Sequence, residues 1–253
     1  MIRKACKWLG IAFFWLALWW VAATFGVKQE LLLPSPIRVL SRLGELMSQG
    51  EFWVSTATSL CRIFGGIFCA LILGILCGIL TAHSTFLHEL LSPILAIIKA
   101  TPVASFIILA LVWISRGKLP AFIAALMVLP IIWTNIEQGI RQIDPKLLEM
   151  AKVFRFSRTK RLVHITVPSV LPYFIAACRT SLGLAWKAGI AAEVLATPKN
   201  SIGKELFQSK TFMETTDLFA WTVTVILLSI CMEKLFFLLL RLILRKTHTG
   251  GAL

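Results

Sequence analysis

The chain is short of charge. Charged residues fill 15% of its 253 positions, against about 25% in an average soluble domain. A soluble fold of this length needs a polar surface, and this composition lacks the residues to make one. The shortage excludes a cytosolic or secreted enzyme, a disordered protein and a disulfide-stapled domain. Acids are rarer than bases, 12 Asp and Glu against 26 Lys and Arg. Chemical motifs are missing too. Gly117-Lys118 and Gly203-Lys204 lead into Leu119 and Glu205 rather than Ser or Thr, so there is no recognisable phosphate loop. There is no G-x-S-x-G nucleophile elbow. His83 and His88 are five apart, not the four of a zinc-binding H-E-x-x-H, although Glu89 is adjacent. The six cysteines are Cys6, Cys61, Cys69, Cys77, Cys178 and Cys231, and none forms a C-x-x-C pair. All but Cys6 lie in apolar segments, where a free thiol packs like a small hydrophobe.

What the chain has is apolar length. Hydrophobic residues make up 58%, and the mean hydropathy is +0.83. A spanning helix takes about 20 apolar residues. Six segments qualify: 8–26, 56–81, 90–114, 119–140, 168–195 and 217–243. They predict an all-α, polytopic membrane protein with about six spans and a single domain over 1–253. The first run follows Arg3, Lys4 and Lys7. It is longer than the 7–15 residues of a signal-peptide core, so it reads as a retained helix with a cytoplasmic N-terminus. An even number of spans then returns the C-terminus, with Arg241, Arg245 and Lys246, to the cytoplasm.

On this topology 27–55 is external. It holds Leu31-Leu32-Leu33-Pro34-Ser35-Pro36 and then an amphipathic stretch over 37–47. There Val39, Leu40, Leu43, Leu46 and Met47 share a face at helical spacing. The second span carries a stripe of small residues, Gly66, Ala70, Gly74, Gly78 and Ala82, which predicts close helix packing. The third is interrupted by Pro93, Lys99, Thr101 and Pro102. Irregular backbone at membrane depth is tolerated inside protein or along a cavity, so Pro102 is a candidate for the wall of a pathway. Arg62, Arg179, Lys187 and Glu193 are ionisable groups within apolar segments. Such groups usually face the bundle interior or a cavity. They are candidate pathway or gating residues, with Lys187 and Glu193 foremost. Glu233 and Lys234 read as snorkelling groups at the inner end of the last span.

The segment 141–167 is too polar to cross and is placed in the cytoplasm. Asp144-Pro145 is a helix start, with Asp as N-cap and Pro at the first helical position. Leu147, Leu148 and Ala151 give an apolar face. Ser157 caps a second short helix through 158–165, and Pro168 opens the fifth span. Residues 141–161 hold seven basic side chains, among them Lys146, Lys152, Arg155, Arg158, Lys160 and Arg161. The net charge of +14, a nucleic-acid signal in a soluble protein, is here an excess in cytoplasmic segments. A nucleic-acid partner is not expected.

Glu149-Met150-Ala151, followed by Ile165-x-Val167-Pro168, resembles the EAA loop of permease subunits of ATP-binding-cassette importers. That pattern reads E-A-A, three residues, G, nine residues, I-x-L-P. Glu149, Ala151, Ile165 and Pro168 fall at matching places, Met150 and Val167 are conservative departures, and Arg155 stands where the family has Gly. Leu33-Pro34-Ser35-Pro36, the tract 93–102 and Leu184-Ala185-Trp186-Lys187-x₅-Glu193 look like the sulfonate, taurine, nitrate and bicarbonate branch. Trp113-Ile114-Ser115-Arg116-Gly117 replaces that branch's usual W-F-G-x-G.

The resemblance implies an inner-membrane permease without catalysis of its own. Two permeases, as a homodimer or a mixed pair, would form the path for a small anionic solute. An extracytoplasmic solute-binding protein would deliver it. Two cytoplasmic ATPase subunits would bind ATP with Mg, and this chain would hold no cofactor or metal. The ATPase contact would comprise Glu149, Met150, Ala151, Lys152, Phe154, Arg155, Phe156 and Ser157. Ala151 would face the ATPase groove, and Asp144, Pro145, Ile165 and Pro168 would frame the loop. The transmembrane coupling subunit of a vitamin importer is the nearest alternative, but it predicts two separated coupling helices with Ala-Arg-Gly signatures. An intramembrane lipid-modifying enzyme needs clustered catalytic polar residues. A secondary transporter predicts internal repeats. None of these is evident.

Overall fold

Long apolar runs with few breakers leave the backbone one way to satisfy its own polar groups in lipid, which is to coil. The computed structural model describes residues 2–27 and 32–246. Among them there is no strand. Leu31 of the Leu-Leu-Leu-Pro tract lies outside the described residues. Eleven α-helices follow one another: α1 (Ile2–Val21), α2 (Pro36–Met47), α3 (Gly50–His83), α4 (Thr85–Ala100), α5 (Val103–Ala110), α6 (Leu119–Arg141), α7 (Pro145–Val153), α8 (Arg158–Arg161), α9 (Val167–Ala196), α10 (Ile202–Thr211) and α11 (Thr215–Lys246).

Among the described residues, four stretches are long and apolar enough to cross a membrane, against about six expected: α3, α6, the continuous Arg158–Ala196 rod and Thr215–Leu242 of α11. The expected third span is not one straight helix. It divides at Thr101-Pro102 into α4 and α5, which bend by 103°. Pro102 cannot donate to the preceding turn, so the helix ends there and restarts with Pro102 as its N-cap. The expected first span is helical from Ile2 to Val21, continues as a π-turn over Ala22–Val27, and is apolar over Phe14–Phe25.

The chain divides into two units, Met1–Ser59 with Thr197–Leu228, and Leu60–Ala196 with Ser229–Leu253. In the first, α2 has Ser35 before it and Pro36 at its first position. It buries Pro36, Val39, Leu43 and Leu46. Leu40 and Met47, expected on that face, are exposed. The covered stripe is narrow, so neighbours only 100° around the helix fall outside it. Arg42 holds Asp217 with two hydrogen bonds, Nε to Oδ1 at 2.7 Å and NH2 to Oδ2 at 2.9 Å. With Glu45 this keeps the guanidinium above its ordinary pKa. Phe52 stacks on Trp221 at 5.0 Å. The helix α10 fills a segment with no expectation from the sequence. Ser201 caps it through Lys204 N–H, and Ile202 N–H donates to the Ser59 hydroxyl at 3.0 Å.

In the second unit α6 and α9 pair extensively. The small-residue stripe of α3 packs as expected over four of its five positions, and Ala82 is half-buried. Gly66, Ala70, Gly74 and Gly78 are buried. Gly66 meets the Ala121 backbone, Gly74 meets Ile132, and Gly78 meets Ile136 and the Trp133 carbonyl. Ile107, Ala110, Leu119, Ile123, Ala188 and Ala192 form a buried cluster from α5, α6 and α9.

Candidate functional site

The loop between α6 and α9 is built by caps. The Asp144 carboxylate accepts from Lys146 N–H at 2.9 Å, with Pro145 at the first helical position. At the other end of α7, Phe156 N–H donates to Ala151 O at 2.8 Å and Arg155 N–H to Lys152 O at 3.1 Å. These are the paired bonds of a Schellman stop, which needs a left-handed residue just past the helix. Arg155 takes that conformation, with φ of 48°. Arg155 thus makes the turn the family assigns to Gly, and bears the strain, about 1–2 kcal/mol. Arg155→Gly is expected to raise the melting temperature of the purified chain by the equivalent of about 1 kcal/mol. An unchanged or lower value would mean that the arginine side chain offsets its own strain.

Beyond the turn, the Ser157 hydroxyl accepts from Lys160 N–H at 3.3 Å. The expected second helix is not separate. Its α-helical part is only Arg158–Arg161, and it runs through a π-turn, Leu162–Thr166, directly into α9. Pro168 therefore lies inside a continuous rod rather than at a boundary. Proline has no N–H for the carbonyl four residues back. The wider turn fits that defect, and Val167 N–H bonds to Leu162 O, five residues back.

Within 144–168 only Ala151 and Ile165 are buried, each at 3%. This corrects one expectation: Ala151 faces its own protein and not an outer groove. Buried at the last turn of a short helix, a methyl group lets the loop sit close. The outward surface is different. Val153 is 78% exposed and Phe154 69%. Leu147 and Met150 are also exposed, as are Glu149, Lys152, Arg155 and Ser157, while Phe156 is half-buried. Glu149 makes no ion pair among the described residues. The result is an exposed apolar tip with exposed cations next to it in the chain.

Beneath the loop, Tyr173 of α9 packs against Gly139 of α6 and donates its hydroxyl hydrogen to Gln142 Oε1. Deeper lies a polar cluster that the sequence reading missed. Glu137, only 6% exposed, brings three helices together. Its Oε2 accepts from the Thr81 hydroxyl of α3 at 2.9 Å. Its Oε1 lies 2.6 Å from His88 Nδ1 of α4 and 2.8 Å from Arg141 NH2 of α6. The Trp133 indole N–H donates to Thr81 Oγ1 at 2.9 Å, and Arg141 NH2 to the Thr81 carbonyl at 3.2 Å. The available signal was Glu137 four residues before Arg141, the favourable order for a helical pair.

The expected pathway residues do not converge. Glu193 is wholly buried and sits 3.9 Å from Arg62, so it is a strut between α9 and α3 rather than part of an open wall. Trp186, Gly189 and Glu193 lie on the buried face of α9, and Lys187 is exposed on another. Arg179 is exposed, with its guanidinium carbon 5.1 Å from the Phe237 ring centre. Pro102 is exposed at the α4–α5 bend. Glu233 and Lys234 are both exposed.

Comparison with known proteins accounts for this arrangement of spans and loop. The sequence profile of the binding-protein-dependent transport system inner membrane component family matches residues 70–249. An aliphatic sulfonates transport permease protein of Bacillus subtilis is 27% identical over 81% of this chain and 74% of its own. A bicarbonate transport system permease protein of Synechococcus elongatus is 30% identical over 74% and 71%. A riboflavin transport system permease protein of Chloroflexus aurantiacus is 29% identical over 91% and 86%. With multiple apolar spans, a capped loop between two of them and a profile match over most of its length, the chain belongs to the family of inner membrane components of binding-protein-dependent transport systems.

Proposed function

We propose that two copies of this chain form the path of an ATP-driven importer, and that each seats α7 on a cytoplasmic ATPase subunit. The observation that carries this reading is the tip of the loop. Val153 and Phe154 are exposed on a helix capped at both ends, and Lys152, Arg155 and Arg158, exposed as well, are close to them in the chain. An apolar pair held rigidly within a polar rim is the anatomy of an interface anchor. The caps and the continuous α8–α9 rod make the loop stiff, so a push on α7 reaches the membrane helices instead of being absorbed. ATP and Mg act on the ATPase subunits. Both termini of this chain are cytoplasmic, and a solute-binding protein delivers from the other side.

The solute is small and anionic, in line with the relatives named for sulfonates, taurine, bicarbonate and nitrate. The riboflavin relative, which aligns over 91% of this chain, supports a second reading with a vitamin as cargo. Uptake of labelled taurine and of riboflavin by cells carrying the complete importer separates the two.

The coupling reading is tested by purifying the chain with its ATPase. The double variant Val153→Asp, Phe154→Asp removes the anchor from exposed positions and leaves the caps intact. Loss of an interface anchor of this kind costs about 2 kcal/mol or more, which is about 30-fold in affinity. The complex is expected to dissociate and uptake to stop, with the melting temperature of the lone permease unchanged. A complex that survives both changes would sink the proposal. For gating, Lys187→Ala is the cleaner probe, since Glu193→Ala also removes the ion pair to Arg62.

A further inference from the structure

The last span carries an unmet positive charge. Ile230, Glu233, Lys234, Phe237, Leu238 and Arg241 repeat at helical spacing along one side of α11. With Arg179 of α9 they line a cavity of about 620 Å³. Three cations face one carboxylate there. No ion pair joins them among the described residues, and the recorded partner of Arg179 is the Phe237 ring. Charged groups at such depth need a counter-charge or water.

Among the described residues, Glu233 is the one carboxylate in the lining, so two positive charges are left over. The other carboxylates in the interior of the spans are Glu137, held by Thr81, His88 and Arg141, and Glu193, beside Arg62. A second copy would bring the same lining, three cations to one carboxylate, and so the same excess of positive charge. The geometry points to an anionic phospholipid as the occupant. Its phosphate is met by Arg179, Lys234 and Arg241, and its acyl chains lie along Ile230, Phe237 and Leu238. The apolar half of the lining fits an amphiphile better than a hydrated ion. Depth agrees as well. The 32 residues of α11 span about 48 Å, more than the ~30 Å hydrocarbon core. Its final turns, with Arg241, therefore reach the headgroups, and the long stem of Lys234 can extend there. Basic pockets between spans are a recurrent form of headgroup site.

The inference rests on the membrane-spanning placement and not on the coupling reading, so either can fail alone. Its test is lipid binding by the full chain, purified in detergent and titrated with phosphatidylglycerol or phosphatidylcholine. Phosphatidylglycerol is expected to bind tightly and to raise the melting temperature, and phosphatidylcholine is not. Each removed cation is expected to weaken binding about fivefold, so Lys234→Gln with Arg241→Gln gives about 25-fold. Glu233→Gln, which deletes the opposing charge, is expected to tighten it. All three positions are exposed, so helix content and melting without lipid serve as folding controls. Equal binding of the two lipids, or an unaltered affinity in the double variant, overturns the proposal. So does displacement of the lipid by millimolar sulfonate, bicarbonate or phosphate, which would make the cavity a site for a soluble anion.

Discussion

Gly66→Ala is expected to prevent stable folding, while Gly65→Ala one position earlier leaves the chain intact. A Cβ at position 66 would lie 2.0 Å from the Ala121 carbonyl oxygen, 2.7 Å from its carbon and 2.9 Å from its Cα. All three are backbone atoms of α6, so no rotamer change relieves the overlap. The helices would have to part by more than an ångström. Gly74 and Gly78 continue the same contact against Ile132, Trp133 and Ile136, and they would part too. Overpacking in a tolerant core costs about 1–3 kcal/mol. Here, with nothing able to move but a helix, we expect the top of that range or beyond. Position 65 has no atom within 4 Å of the added carbon, and alanine there gains helix propensity of about 1 kcal/mol. Melting of the two variants in detergent checks the contrast. Equal melting temperatures would mean that α3 and α6 do not approach as described.

The second large effect is expected at Glu137. Its carboxylate is the shared partner of Thr81, His88 and Arg141, and it is nearly buried. Glu137→Ala removes three polar contacts at once and strands their partners. Breaking a buried pair from one side costs about 3–5 kcal/mol. Arg141 is partly exposed and recovers some hydration, which favours the lower end. Glu137→Gln keeps an acceptor for Thr81 and loses only the charge, so its loss is expected to be smaller. Hydrogen exchange should report where the damage falls, with protection lost first over 81–88, where α3 ends and α4 begins. Uniform protection in the alanine variant would contradict a clamp at that junction.

The sites differed in how much of them the sequence revealed. The α7 loop was legible because caps are local. Asp144-Pro145 and Ser157 act on amides two or three residues away, so their order in the chain is the mechanism. The family spacing marked Arg155 as the place of the turn, and the structure gives it the left-handed conformation, with φ of 48°. The merging of α8 into α9 was not legible, because proline signals a helix start and a tolerated π-turn equally well. Ala151 misled for a related reason. Spacing gives a residue's angle around a helix, but not which side is covered.

The ionisable residues show the limit more sharply. The sequence marked Glu193 and Lys187 together because both are charges in apolar surroundings. They are on different faces of α9, and the partner of Glu193 is Arg62, far off in the chain. Glu137 was passed over, although its pairing with Arg141 follows the helix repeat.

By itself, then, the sequence determined the class, the four long spans among the six expected, and the caps of the loop. Burial of about 20 apolar residues in lipid and the capping of short helices are decided within one stretch of chain. Only the tertiary structure decided which charges meet and which remain unmet. It also decided how far the helix interrupted at Thr101-Pro102 bends, by 103°, and which small residues touch backbone. Those outcomes depend on which helix lies opposite, and a partner more than 50 positions away leaves no mark on local spacing.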